Sequence, residues 1–84
     1  MTTKTVTIGL SEGLETRATA MLVQKACQFS SAIYVEAGNK KVNTKSIMGM
    51  MTLGLNKGEE VTIVANGEDE EAAIAEMEKF LTGK

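Results

Sequence analysis

Hydrophobic residues repeat with two different periods along this chain, and the order of these periods limits the folds that it can adopt. Over Lys4–Leu10 every second residue is apolar, which is the period of a half-buried strand. From Thr16 to about Cys27 the spacing widens to one helical turn, with Thr16 placed to cap the first free N–H groups. The positions that follow these periods are Val6, Ile8 and Leu10 in the strand and Thr19, Leu22, Ala26 and Phe29 in the helix.

Three further segments have the composition of strands. Ala32–Ala37 and Lys40–Asn43 flank Gly38-Asn39, a pair that favours positive φ and therefore predicts a β-hairpin. Glu60–Asn66 alternates as another half-buried strand, with Val61, Ile63 and Ala65 on one face.

Two further helices are predicted. A short one covers Ser46–Leu53, with Ser46 as the N-cap and Gly54 as the stop. The last begins at about Asp69, because an acidic first turn suits the positive end of the helix dipole. Its apolar stripe consists of Ala73, Ile74, Met77, Phe80 and Leu81.

The element order is therefore β-α-β-β-α-β-α. This order predicts an α+β fold, an open-faced β-sandwich with a four-stranded antiparallel sheet and three helices on one face. No proline-rich or serine-rich linker interrupts residues 1–84, so we expect a single domain.

Composition excludes several classes of function. A net charge of -2, with acidic residues gathered in the last third, disfavours direct nucleic-acid binding. Cys27 has no partner for an internal disulfide, and we expect it to be a half-buried apolar residue. No segment has the pattern of a signal peptide or a membrane span, so we expect a cytoplasmic protein without membrane insertion. We expect no metal or cofactor, because Gly67–Glu71 lacks the alternating ligand pattern of a calcium loop.

The short helix after Ser46 has more apolar side chains than two turns can bury. Ser46 alone is an ordinary N-cap, worth about 1 kcal/mol. Methionine stripes usually belong to a core, but a helix of this length cannot bury all of Ile47, Met48, Met50 and Met51. We expect Met48 and Met51 to lie outside.

Two segments and the element order give the chain a close resemblance to the HPr family of bacterial phosphocarrier proteins, over nearly its whole length. The segments are Gly13-Leu14-Glu15-Thr16-Arg17 and Lys45-Ser46-Ile47-Met48-Gly49. Further matching stretches are Leu22-Val23-Gln24 with Ala26, Lys41-Val42-Asn43, Met51-Thr52-Leu53, and Glu60-Val61-Thr62 followed by Gly67 and an acidic helix start.

The resemblance implies that one residue needed for phosphate relay is absent. Family members accept phosphate on a histidine in a Gly-aliphatic-His-Ala-Arg-Pro-Ala loop, beside an arginine that steadies the phosphoryl group. Here Glu15 occupies the histidine position and Arg17 remains, while Ala18 and Thr19 replace proline and alanine. A carboxylate lacks the nucleophilic ring nitrogen that makes imidazole suitable for this task. We therefore expect no enzymatic activity and no relay, with Glu15 supplying a permanent negative charge or simply stabilising a helix start.

The same resemblance assigns regulation to Ser46. In Gram-positive relatives this segment resembles the substrate of HPr kinase/phosphorylase, and the phosphoserine recruits the transcription regulator CcpA. A phosphate at a helix N-terminus is favoured by free N–H groups, so modification need not unfold the protein. The partner surface implied by the resemblance consists of Glu15, Arg17, Ala20, Val23, Gln24, Ile47, Met48 and Met51.

Three hypotheses for the function follow. The first is a Crh-type regulator, a catabolite repression HPr-like protein that keeps the serine and lacks the histidine. The second is a carrier of the sugar phosphotransferase system, a partner of Enzyme I, in which Glu15 is a variant or mutant residue. The third is an adaptor that binds metabolic enzymes or kinases without any phosphorylation.

Overall fold

The structure of the protein, a computed structural model, describes residues 1–10 and 16–83. Within these residues four strands and three helices follow one another in the predicted order β-α-β-β-α-β-α. The strands are β1 (Thr2–Thr7), β2 (Ala32–Ala37), β3 (Lys40–Asn43) and β4 (Glu60–Asn66), and the helices are α1 (Thr16–Ala26), α2 (Ile47–Met51) and α3 (Glu70–Leu81).

The strands form one antiparallel sheet in the order β1-β4-β2-β3. β4 lies between β1 and β2, while β3 forms the second edge through its hairpin with β2. The hairpin turn has a positive φ of 60° at Gly38. The predicted hairpin is confirmed, and its glycine adopts the positive φ whereas Asn39 does not.

The core lies between one face of the sheet and the helices. Alternate residues of the strands, among them Val35, Val61 and Ile63, are buried on this face. The helices contribute buried side chains that include Leu22 and Met77. The predicted α+β architecture, with a four-stranded antiparallel sheet and helices on one face, is confirmed. Among the described residues, no helix has both the length and the apolar character needed to cross a membrane.

The first strand begins and ends earlier than predicted. We expected Lys4–Leu10, but β1 spans Thr2–Thr7 because its ladder with β4 runs from the pair Thr2 and Ala65 to the pair Thr7 and Glu60. Ile8 is still almost fully buried, although it lies after the strand. The alternating pattern therefore identified the buried residues Val6 and Ile8 correctly. It did not locate the hydrogen-bonded strand, which begins two residues earlier and ends three residues earlier than predicted.

The helix boundaries also differ in detail from the predictions. α2 is shorter than the predicted Ser46–Leu53, and it is closed by Thr52, whose backbone N–H donates to helical carbonyls, rather than by Gly54. α3 starts at Glu70 with Asp69 in the N-cap position. The prediction that Thr16 caps α1 concerns a side chain outside the described part of the structure.

Cys27 is exposed rather than half-buried as predicted. α1 ends at Ala26, which is fully buried, and the next residue has already left the helix face that packs on the core. Because α1 ends at Ala26 and not at the predicted Cys27, the side chain of Ala26 is covered by the core and that of Cys27 is exposed.

Candidate functional site

Ser46 occupies the N-cap of α2 and its side chain is exposed. Its backbone is extended, with φ of -100° and ψ of 109°. Its hydroxyl oxygen accepts a hydrogen bond from the backbone N–H of Gly49 at 3.3 Å. The predicted N-cap is confirmed, and the hydroxyl points to solvent at the positive end of a helix.

The segment before Ser46 is held in place from both sides. The side-chain oxygen of Asn43 accepts the backbone N–H of Lys45 at 2.8 Å, and the Asn43 carbonyl accepts the N–H of Ser46 at 2.9 Å. The ammonium group of Lys45 donates to the carbonyl of Phe29 at 2.7 Å, just beyond the end of α1. These bonds fix the orientation of the serine relative to α1.

α2 exposes most of its apolar side chains. Met48 is 79% exposed, Met51 51% and Ile47 45%, whereas Met50 is 1% exposed and belongs to the core. The prediction that Met48 and Met51 lie outside is confirmed. Because α2 has five residues, one side chain is sufficient to anchor it and the rest face solvent.

The candidate residues on α1 divide between surface and core. Arg17 and Gln24 are exposed, Ala20 is half-buried, and Val23 packs partly against the core cluster. Because α1 packs against α2, the exposed residues of both helices lie on neighbouring elements. The structure therefore places seven of the eight predicted partner residues on this helix pair: Arg17, Ala20, Val23, Gln24, Ile47, Met48 and Met51.

The eighth, Glu15, lies outside the described residues. The prediction that it presents a permanent charge beside Arg17 accordingly stays a prediction.

Met21 is an exposed apolar residue that the sequence analysis did not select. It is 47% exposed on α1. The signal was present, because Met21 lies four residues after Arg17 and three before Gln24, the spacing of one helix face.

The side chains of this surface could accept a phosphoryl group from another molecule, through the Ser46 hydroxyl. The Ser46 hydroxyl is accessible to an external phosphoryl donor, whereas a general base of the histidine type is absent from the whole sequence. Within the described ranges, no group of three or more His, Cys, Asp or Glu side chains is arranged to hold a metal ion. A phosphate added at Ser46 would be followed directly by the exposed apolar residues of α2.

The four-stranded antiparallel sheet with helices on one face is the architecture of a small α+β protein of the open-faced sandwich type. The family model described as "PTS HPr component phosphorylation site" matches residues 2–83, and the chain therefore belongs to the HPr family.

Known relatives include both HPr and Crh proteins. HPr-like protein Crh of Bacillus subtilis (strain 168) is 42% identical over 81 residues, which cover 96% of this chain and 95% of Crh. The crystal structure of HPr-C-His from Thermoanaerobacter tengcongensis superposes with a TM-score of 0.92 at 45% identity, covering 100% of this chain and 98% of that one. The crystal structure of selenomethionyl Crh from Bacillus subtilis, described as an intertwined dimer with a swapping domain, has a TM-score of 0.80 at 40% identity, with 100% and 97% coverage.

Proposed function

We propose that this protein is a regulatory adaptor of carbon catabolite repression, without enzymatic activity of its own. HPr kinase/phosphorylase phosphorylates Ser46, and the modified protein then binds a CcpA-type transcription regulator as its corepressor. The observation that carries the proposal is the exposed Ser46 hydroxyl at the start of α2, followed by the exposed apolar side chains of Ile47, Met48 and Met51.

Phosphorylation at this position changes charge without breaking the fold. A phosphoserine adds about -1.5 to -2 charges at neutral pH and three strong acceptor oxygens. At an N-cap these oxygens face helix N–H groups, one of which, from Gly49, already donates to the Ser46 hydroxyl. A basic site on the partner reads the added charge through paired hydrogen bonds.

A phosphate group alone offers a partner protein little contact area. The exposed apolar side chains of the surface add to that contact area. Methionine side chains are flexible and polarizable, which suits a surface that docks on more than one partner. Exposed apolar groups next to one charged group resemble the apolar centre and polar rim of protein interfaces. We include Arg17, Ala20, Val23 and Gln24 of α1 in this surface, and we add Glu15 as the residue at the relay position of the sequence motif.

A carrier role in the sugar phosphotransferase system is the second candidate. The TM-score of 0.92 with an HPr structure favours it. The 84 residues contain no histidine, however, so phosphohistidine cannot form among them. In this second proposal Glu15 is a variant residue at the relay position, and a side chain other than histidine accepts the phosphate from Enzyme I. Under either proposal we place the protein in the cytoplasm as a single HPr-like domain.

Intact mass measurement after two parallel incubations tests these proposals. ATP with HPr kinase/phosphorylase should add one phosphate to the wild-type protein and none to Ser46→Ala. Phosphoenolpyruvate with Enzyme I should add none to either. Phosphate transferred by the second route would support the carrier and contradict the regulator, and no phosphate by either route would favour the adaptor that acts without phosphorylation.

Binding measurements then test the docking surface. Phosphorylated wild-type protein should bind a CcpA-type regulator, and phosphorylated Met48→Asp should lose most of that affinity because a charge replaces an apolar contact. Ala72→Asp is the matched control, since Ala72 is exposed on α3 and gains the same charge. Equal affinity of Met48→Asp and Ala72→Asp would refute the docking role of Met48.

A further inference from the structure

Asn66 is the one asparagine in this sequence that is followed by glycine. The side-chain amide of an asparagine can be attacked by the backbone nitrogen of the next residue, which closes a five-membered succinimide ring. A side chain on that next residue obstructs the approach, and glycine has none. Asn39, Asn43 and Asn56 precede lysine or threonine instead. The sequence therefore makes Asn66 the least hindered asparagine for this reaction.

The side chain of Asn66 is exposed at the end of a strand. Asn66 is the last residue of β4, and Ala65 before it is fully buried. Because successive residues of a strand point to opposite faces, the Asn66 amide lies on the face of the sheet away from the helices. Within residues 1–10 and 16–83, no hydrogen bond holds this amide in place. Solvent therefore reaches the carbon atom that would be attacked.

The main chain at Asn66 is also the last part of its ladders. Pairing of β4 with β2 ends at Ala32 and Asn66, and pairing with β1 ends one residue earlier, at Thr2 and Ala65. Ring closure requires rotation of the Asn66 backbone away from the extended conformation. The end of a strand opens locally at a much lower free energy than its interior. Asn66 can thus reach the reactive conformation without unfolding of the whole domain.

The fold requires glycine at position 67, next to the reactive amide. A Cβ atom there would lie 2.7 Å from the Cα atom of Ser31, so any other residue would displace the backbone before β2. The Gly67 N–H donates to Oε1 of Glu70 at 3.2 Å, an exposed bond at the long end of the usual range. Opening of this bond frees the attacking nitrogen. The packing against Ser31 therefore retains the residue type that leaves Asn66 unprotected.

We propose that Asn66 is a site of spontaneous deamidation in the folded protein. The Gly67 nitrogen loses its proton to solvent hydroxide and forms a bond to Cγ of Asn66, while the bond from Cγ to the side-chain nitrogen breaks. The departing nitrogen takes a proton from water and leaves as ammonia. Water then opens the succinimide at either carbonyl carbon, which gives aspartate or isoaspartate at position 66.

Isoaspartate at this position would lengthen the main chain beside a tight contact. The Gly67 backbone lies against Ser31, whose own N–H donates to the Asp69 carboxylate at 2.9 Å. An additional methylene between residues 66 and 67 displaces Gly67 and thereby weakens the attachment of α3 to the start of β2. Deamidation therefore produces a form that is more acidic and, as isoaspartate, less stable.

Incubation of the folded protein at mildly alkaline pH, followed by isoelectric focusing and peptide mapping, tests the proposal. A form with one added negative charge should accumulate, and the added charge should map to residue 66. Asn66→Gln should slow this accumulation by at least about tenfold, because its side chain would have to close a six-membered ring with poorer orientation. Asn56→Gln is the matched control, since Asn56 is also exposed, and it should leave the rate unchanged.

A parallel incubation in guanidinium chloride separates the folded protein from the unfolded chain. An acidic form that arises only in denaturant would overturn the proposal, as would one that maps to Asn39, Asn43 or Asn56. Equal rates for wild type and Asn66→Gln would also overturn it. The isoaspartate form, identified by its methylation with protein isoaspartyl methyltransferase, should unfold at a lower denaturant concentration than wild type. An unchanged unfolding midpoint would contradict the effect on the contact between Ser31 and Asp69.

Discussion

Asp69 and Ser31 are 38 residues apart in the chain, yet Oδ1 of Asp69 accepts a hydrogen bond from the Ser31 backbone N–H at 2.9 Å. The Ser31 hydroxyl donates to the same oxygen, and Oδ2 accepts the N–H of Ser30 at 2.9 Å. These bonds favour the charged carboxylate, and they lower the pKa of Asp69 from 3.8 to about 2, with the Ser31 hydroxyl bond as the largest cause. The start of α3 is thereby fastened to the start of β2.

The first prediction concerns acid unfolding. Because the pKa of Asp69 is lower in the folded protein, its contribution to the free energy of unfolding is present above about pH 4 and is lost as the pH falls toward 2. Asp69→Asn should therefore be less stable than wild type at neutral pH, and the difference should shrink toward pH 2. Urea unfolding at several pH values measures this.

A residual pH dependence should remain in Asp69→Asn. The hydrogen bond from the Thr2 hydroxyl, followed by that from the Gly67 N–H, lowers the pKa of Glu70 and acts in the same direction. A constant difference between wild type and Asp69→Asn over the whole pH range would contradict the assignment to Asp69.

The second prediction concerns the N-cap of α2. Ser46→Ala should lower the free energy of unfolding by about 1 kcal/mol, because the Gly49 N–H loses its acceptor. Ser46→Asp should retain most of that stability, since a carboxylate accepts the same bond and complements the helix dipole. Chemical denaturation compares the three proteins, and equal stability of wild type and Ser46→Ala would show that the cap contributes little.

The third prediction separates two methionines of one short helix. Met50→Ala should destabilise the protein by about 2 to 5 kcal/mol, because Met50 is 1% exposed and its truncation leaves a cavity. Met48→Ala should change stability by less than about 0.5 kcal/mol, because Met48 is 79% exposed. Similar unfolding midpoints for the two variants would mean that α2 packs differently from the structure.

The fourth prediction concerns two glycines. A Cβ atom at Gly9 would lie only 2.8 Å from the carbonyl carbon of Thr82, where the Gly9 N–H already bonds Leu81 at 2.8 Å. Gly9→Ala should therefore destabilise the protein by about 1 to 3 kcal/mol through backbone displacement. At Gly49 the same atom would meet its nearest neighbour at 3.4 Å, so Gly49→Ala should stabilise by up to about 1 kcal/mol.

Thermal unfolding of both glycine variants checks the opposite signs. If Gly9→Ala were as stable as wild type, the close approach of Gly9 to the Thr82 backbone at the end of α3 would be wrong.

Much of the candidate site could be predicted from local pattern. The Ser46 cap depends on residues within one turn, and the exposure of Met48 and Met51 follows from the shortness of the helix. Met21 was missed because a methionine in an amphipathic helix is usually buried. Its spacing from Arg17 and Gln24, which lie on the same helix face, was the local signal for its exposure.

The order of the elements and the bounds of β2, β3 and β4 could be predicted without the structure, because period-two alternation and a glycine turn are properties of neighbouring residues. The position of β4 between β1 and β2 and the start of β1 at Thr2 depend on the tertiary packing instead. These features join residues far apart in the chain, and they arise from burying one common apolar face under three helices. Local periodicity identifies the apolar residues of that face. Which strands pair and which helices pack on them depends on the formation of the whole core.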